Sequence, residues 1–286
     1  MSEIKTIGVI GAGTMGNGIA HVCARGGYGV VLYDVQQAFL DRGVATIEKN
    51  LAREVAKNKL TRQQAEEARS RIVPTLAFDM LSRCELTVEA ATEKFAVKAE
   101  IFRKLDRMLA PEAILASNTS SISITKLAAE TRRPEQVIGM HFFNPVPVMQ
   151  LVEVIRGLQT SQATFDAVHA VSLRLGKTPV EVNDAVGFVS NRVLMPLVNE
   201  AAYAVMEGVA TAEAVDKVFV LGMAHPMGPL TLADLIGLDV CVDIMRVLAE
   251  GLGNPKYNPC PLLVRMVDAG WLGRKSGRGF YTYPSV

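Results

Sequence analysis

The sequence predicts an α/β protein, a doubly wound, largely parallel sheet followed by a second, all-helical C-terminal domain. Three observations predict it. A strand, glycine turn, helix, strand unit occupies the first forty residues; short apolar runs then alternate with helical stretches as far as Val182; and the last hundred residues are helical in pattern with few β-branched runs.

Thr6-Ile7-Gly8-Val9-Ile10 reads as a short buried strand, Gly11-Ala12-Gly13-Thr14-Met15-Gly16 follows at once, and an apolar helical pattern runs to Arg25. The second strand, residues 30–33, ends at Asp34. This is the Rossmann-like fingerprint in its proper context. Gly11 permits the tight turn, Gly13 lets the backbone approach a pyrophosphate, and Gly16 allows close helix packing, while the helix opened by Thr14 and Met15 receives the diphosphate at its N-terminus. A glycine-rich turn between any strand and helix is the plainer reading, and Asp34 weighs against it. A carboxylate there accepts hydrogen bonds from both ribose hydroxyls of NAD and repels the 2'-phosphate of NADP, so NAD is the expected cofactor.

A helix over residues 44–59 sets Ile47, Leu51 and Val55 on one side and Lys49, Arg53 and Lys57 roughly opposite. Residues 42–71 hold eight basic and four acidic side chains, which suits an anionic ligand and equally suits a solvated face. Further strands are predicted at 86–88, 114–116, 137–140, 151–155 and 179–182, with antiparallel pairing open for the last strands of the series. Residues 183–187 form a turn-like junction, and a boundary near Val186 divides residues 1–186 from residues 187–286. The helix over 188–206 is apolar on nearly all sides apart from Ser190, Asn191, Arg192, Asn199 and Glu200, which predicts burial against other elements or another subunit, with a kink at Pro196.

Composition narrows the function. Thirty Lys and Arg against 29 Asp and Glu leave a net charge of +1, far from the basic excess of a nucleic-acid binder. Residues 6–24 carry no charge but include five Gly, and neither a membrane span nor a cleavable presequence is expected, so a cytoplasmic location is the default. Cys23, Cys84, Cys241 and Cys260 lack CxxC spacing and are expected as free thiols; His21, His141, His169 and His225 show no ligand spacing, so no metal is expected. Gly273-Arg274-Lys275-Ser276-Gly277 lacks the preceding strand of a P-loop.

Two charged residues stand out on predicted strands. His141 closes an apolar strand, and ligands of open α/β sheets sit outside such carboxyl ends. Glu153 interrupts the apolar run 151–155, where an ionised carboxylate is costly unless paired. A His–Glu pair would fix the imidazole tautomer and let the other nitrogen take a hydroxyl proton; an outward-facing edge glutamate is the alternative. Ser117-Asn118-Thr119-Ser120-Ser121 is a cluster of small polar groups at another carboxyl-terminal strand edge, or merely an N-cap. Asn191 lies in the apolar helix, where its amide would meet a substrate oxygen or a neighbouring helix.

Together these residues resemble the 3-hydroxyacyl-CoA dehydrogenases, particularly the short bacterial 3-hydroxybutyryl-CoA dehydrogenases, over nearly the whole chain. The resemblance rests on the glycine turn, Ala116-Ser117-Asn118-Thr119-Ser120-Ser121, His141-Phe142-Phe143-Asn144-Pro145-Val146-Pro147, Gly187-Phe188-Val189-Ser190-Asn191-Arg192, Gly228-Pro229 with Asp234-Leu235-Ile236-Gly237-Leu238-Asp239, and Gly277-Arg278-Gly279-Phe280-Tyr281. It implies His141 as general base oriented by Glu153, with Ser120 and Asn191 holding the reacting oxygen and the neighbouring carbonyl. It also implies cofactor contacts from Asp34, Glu93, Lys98, Asn118, Asn144 and Lys275, and places coenzyme A along the helix carrying Asn50, Arg53 and Lys57. The implied substrate is an acyl-CoA, and the implied assembly a homodimer through the C-terminal helical domain. Two alternatives stand beside it. A β-hydroxyacid dehydrogenase of the phosphogluconate type would carry a catalytic Lys in the interdomain helix, absent from residues 187–207; a silent NAD-binding protein would not need His141, Glu153, Ser120 and Asn191 together.

Overall fold

Eight strands form one sheet: β1 (Thr6–Ile10), β2 (Gly29–Tyr33), β3 (Ile72–Thr75), β4 (Leu86–Glu89), β5 (Ile114–Ser117), β6 (Val137–Phe142), β7 (Leu151–Arg156) and β8 (Thr178–Asn183). Their spatial order is β3-β2-β1-β4-β5-β6-β7-β8, so the chain reverses direction across the sheet between β1 and β4, the doubly wound arrangement that opens a crevice at the carboxyl ends of those strands. All neighbours are parallel except β6 and β7. The reason is the connection: residues 143–150 are too few for a parallel crossover, which takes about a dozen residues or more.

The computed structural model describes residues 3–284, in two units, one ending at Ala185 and the other beginning at Val186. The first contains the sheet with α1 (Thr14–Arg25), α2 (Gln37–Ala56), α3 (Arg62–Ser70), α4 (Phe95–Met108), α5 (Ile124–Ala128) and α6 (Gln162–Arg174). The central strands are buried on both faces, which is why they read as continuous apolar runs; Ile7, Val9, Val30, Leu32, Leu86, Val88 and Ile138 join Ile19 and Val22 of α1 in one core. Each such side chain contributes on the order of 1.5–3 kcal/mol.

β3 is absent from the sequence expectation. Its four residues include Pro74, which belongs on an edge, and β3 is indeed an edge strand with one buried residue. α2 starts at Gln37, upstream of the expected 44, and ends at Ala56 with Lys57 as its C-cap. α3 was not expected separately; Thr61 and Gln64 start it with a reciprocal capping box.

The second unit holds α7 (Ser190–Met206), α8 (Ala212–Lys217), a π-helical turn (Val218–Gly222), α9 (Pro229–Ile236), α10 (Leu238–Leu252) and α11 (Pro261–Asp268) around a core of Met195, Val198, Ala202, Leu238, Val242, Met245 and Leu263. α7 begins two residues later than expected because Gly187 and Phe188 have positive φ, +75° and +49°, outside helical space. Its burial is a stripe within this unit: Met195, Val198 and Ala202 are buried while Val193 is 65% exposed. Among the described residues no helix is long and apolar enough to cross a membrane, and no group of His, Cys, Asp and Glu is arranged to hold a metal.

Candidate active site

At the carboxyl end of β1 the chain turns sharply. Gly11, at φ +99°, donates its N–H to the Tyr33 carbonyl at 2.8 Å, and a Cβ there would meet the Ala90 oxygen at 2.7 Å. A Cβ on Gly16 would stand 1.7 Å from the Gly11 oxygen, whereas one on Gly13 would meet nothing within 4 Å. The first and third glycines are therefore demanded by packing, and the second leaves the backbone there uncovered by protein. Behind it α1 starts with no side-chain cap and no acidic residue in its first turn, so its first N–H groups donate to no capping side chain. Asp34 follows β2, 8% exposed, its Oδ2 accepting from the Ala12 N–H at 2.7 Å and its Oδ1 from the Gln36 N–H at 3.2 Å. These residues fit a dinucleotide: an amide-rich end for a diphosphate and a fixed carboxylate beside it for a ribose.

Three strands along, the antiparallel register of β6 and β7 sets His141 directly opposite Glu153. Nδ1 of His141 lies 2.7 Å from Oε2 of Glu153, and the two residues are 8% and 3% exposed. β7 lies between β6 and β8, so Glu153 is on no sheet edge. A carboxylate at Nδ1 holds the proton there and fixes the ring orientation, which makes Nε2 the nitrogen suited to accepting a proton. The Phe143 ring packs beside the imidazole, centroids 4.6 Å apart.

Between these two features lie the loops after β4 and β5. Glu89, the last residue of β4, is fully buried; its carboxylate receives the Lys98 ammonium at 2.8 and 2.9 Å, the Ser117 hydroxyl at 2.7 Å and the Ala91 N–H at 2.6 Å. Lys98 is 1% exposed, and its Nζ also lies 3.3 Å from Oε2 of Glu93. Glu93 Oε1 in turn accepts from the Thr119 hydroxyl, the Ser120 and Ser121 N–H groups and the Ser121 hydroxyl at 2.5, 3.0, 3.1 and 3.0 Å. Burial works to raise the Glu93 pKa, but Lys98 and these donors outweigh it and hold the carboxyl below the ordinary glutamate range. Asn118 Oδ1 accepts from the Phe142 N–H at 2.9 Å, tying this loop to the residue next to His141. Glu89 had no place in the sequence reading of the site, although a glutamate closing an apolar strand carries the same signal as Glu153, and Ser117, read there only as part of a polar cluster, is the residue that ties Glu89 to β5.

Asn144 precedes Pro145 through a cis peptide bond. The segment after it is gripped by Lys177, whose ammonium donates to the carbonyls of Val146 and Met149 at 2.5 and 2.7 Å, a role with no sequence signal. On α2, Asn50 is half-buried and Arg53 and Lys57 are exposed, so the basic stripe is a real surface feature.

In the second unit Asn191 sits in the first turn of α7, half-buried, its N–H donating to the Gly187 carbonyl at 3.1 Å. Further along α7, Asn199 donates to the Asn258 carbonyl at 2.9 Å and accepts from the Cys260 N–H at 2.7 Å. Lys275 pairs with Asp239 at 2.6 Å. The motif residue Asp234 is architectural: it accepts from the N–H groups of Phe280 and Tyr281 and from the Tyr283 hydroxyl, each at 3.0 Å, while Asp216 of α8 accepts from the Tyr281 hydroxyl at 2.8 Å, so the tail is pinned to both α9 and α8.

Comparison with known proteins agrees across both units. The model of the 3-hydroxyacyl-CoA dehydrogenase NAD binding domain matches residues 6–185, and that of the 3-hydroxyacyl-CoA dehydrogenase C-terminal domain matches residues 187–283. A 3-hydroxybutyryl-CoA dehydrogenase of Bradyrhizobium diazoefficiens is 56% identical over 280 residues, covering 98% of this chain and 96% of the relative. One of Clostridioides difficile is 47% identical over 277 residues, covering 97% and 99%. The crystal structure of an (S)-3-hydroxybutyryl-CoA dehydrogenase from Ralstonia eutropha matches with a TM-score of 0.96 at 50% identity, covering 99% of this chain and 100% of that one. The chain belongs to the 3-hydroxyacyl-CoA dehydrogenase family, NAD-dependent oxidoreductases, and carries both domains of that family.

Proposed function

We propose that the protein interconverts (S)-3-hydroxybutyryl-CoA and acetoacetyl-CoA in the cytoplasm, with His141 as the general base. The observation that carries this reading is the 2.7 Å contact between His141 and Glu153 on facing rungs of one ladder. In oxidation, His141 accepts the C3 hydroxyl proton through Nε2 as the hydride leaves C3, and Glu153 stabilises the imidazolium that results; in reduction the imidazolium returns the proton to the C3 oxygen. Bound NAD supplies the hydride acceptor. Ser120 and Asn191 donate to the C3 oxygen and the thioester carbonyl as charge shifts onto them. Gly11, Gly13, Thr14, Met15, Gly16 and Asp34 hold the cofactor, with Asn118, Asn144 and Lys275 contributing further contacts and Glu93 and Lys98 supporting the same loops. Asn50, Arg53 and Lys57 meet the coenzyme A phosphates.

The first unit is the cofactor domain, and the second serves substrate binding and homodimerisation. The second unit supports the latter through exposed apolar side chains, Val193, Val218, Leu221 and Met223, the last three on or beside the π-helical turn, beyond what a lone surface helix usually shows. The test of the reaction is loss of NADH absorbance with acetoacetyl-CoA, repeated with NADPH and with free acetoacetate. Rapid loss only with NADH and the thioester is expected; NADH binding without turnover overturns the reading.

A further inference from the structure

We propose that Glu93 is a positioning residue for Ser120, and that the buried Glu89–Lys98 pair is the anchor that holds it. The proposal rests on the dehydrogenase reading for what Ser120 does. The geometry is a chain of charge running across the carboxyl ends of two neighbouring strands. Lys98 has almost no solvent, so its ammonium requires anionic partners; Glu89, at the end of β4, supplies both carboxylate oxygens. Glu89 is simultaneously bonded to Ser117, the last residue of β5, so the anchor is locked to both strands. The second face of the ammonium is turned to Glu93, whose Oε2 lies 3.3 Å away.

Glu93 then spends its other oxygen on three consecutive residues. Oε1 gathers the Thr119 hydroxyl, the Ser120 N–H and both donors of Ser121. Four donors converging on one oxygen from residues 119–121 determine the path of the backbone through Ser120, and the charge on Glu93 is what makes those bonds strong. A glutamine in its place keeps the shape but loses the charge, and it leaves Lys98 with one formal counter-charge instead of two. Ser120 is half-buried at this loop, so a small change in loop path moves its side chain relative to any bound thioester.

Direct cofactor binding by Glu93 and positioning of Ser120 by Glu93 predict different measurements. In Glu93→Gln, positioning predicts a fall in kcat with acetoacetyl-CoA of about tenfold or more, with the NADH Kd within about twofold of the parent. Glu93→Asp, which keeps the charge and withdraws the carboxylate by one methylene, shows a defect of the same kind. In a Ser120→Ala background, Glu93→Gln changes kcat by less than about twofold, because the two residues act through one group. Amide hydrogen exchange supplies a readout independent of turnover: protection is lost at 120 and 121 and kept elsewhere in the first unit. Multiplicative effects of the two substitutions, a weakened NADH Kd with unchanged kcat, or unchanged exchange at 120 and 121 each overturn the proposal. If the parent protein itself fails to turn over acetoacetyl-CoA, the dehydrogenase reading fails, and the exchange pattern still decides whether Glu93 holds the loop.

Discussion

His141 and Glu153 show how little separates a costly buried charge from a useful one. Both are almost fully enclosed, and each is tolerable because the other is 2.7 Å away. His141→Ala is expected to lower kcat about a hundredfold to ten-thousandfold while the NADH Kd, read by fluorescence titration, stays near the parent value. Retained turnover removes His141 from its role. Glu153→Gln keeps the hydrogen bond and removes the charge, so it is expected to lower kcat less than His141→Ala does, with the NADH Kd again near the parent value. The pair was legible in the sequence because an apolar strand interrupted by one ionisable residue has few explanations. Lys177, Glu89 and the Glu93 loop contacts were not: they join residues distant in the chain, and nothing in local spacing announces which carbonyl or hydroxyl a lysine or glutamate will find.

At the scale of elements, the glycine turn follows from local rules, whereas β3 and the start of α7 depend on context that a local pattern does not contain. A four-residue edge strand containing Pro74 is stabilised by its neighbour β2, and α7 is delayed by two positive-φ residues whose conformation only the fold imposes. The C-terminus of α4 is a clearer case of tertiary control. Arg133, from a different segment, donates to the carbonyls of Asp106, Leu109 and Ala110 and to the Asp106 carboxylate, satisfying groups that the helix leaves unpaired. Arg133→Ala strips these and leaves Asp106 with Arg132 as its remaining partner, so a loss of about 1–3 kcal/mol is expected in urea unfolding. Burial works to raise the Asp106 pKa, but its bonds to Arg133 and Arg132 prevail and lower it. Its stabilising contribution is therefore present above the ordinary aspartate range and is lost as pH falls through the lowered folded value. Melting temperatures followed from neutral pH downward are expected to fall less steeply in Asp106→Asn than in the parent.

Over the whole molecule, two units of different character meet different demands. Both units keep some large apolar side chains exposed, but in the helical unit Val218, Val220, Leu221 and Met223 crowd one six-residue stretch, which leads to the expectation of a dimer by light scattering at micromolar concentration; Leu221→Lys with Val218→Lys is expected to yield monomer. Within the helical unit, Asp234 behaves oppositely to Asp106: burial raises its pKa beyond what the bonds from Tyr281, Phe280 and Tyr283 recover. Its favourable contribution is present below the ordinary aspartate range and declines as pH rises through the raised folded value. The tail motif that the sequence singled out is thus explained as a seating device for residues 280–283.

The ladder between β6 and β7 carries one more implication. Val152 and Val154 flank Glu153, and the rungs on either side of His141 are Met140 with Val154 and Phe142 with Val152. A single-residue insertion or deletion within either strand that shifts this register brings a valine opposite the imidazole. Point substitutions in the surrounding sheet that keep this register are expected to leave the partnership intact, so the paired geometry is tolerant of sequence drift and brittle toward length changes. Across relatives of this chain, lineages are expected to differ freely in side chains along β6 and β7 while keeping the spacing from His141 to Glu153 in step with the turn that joins them.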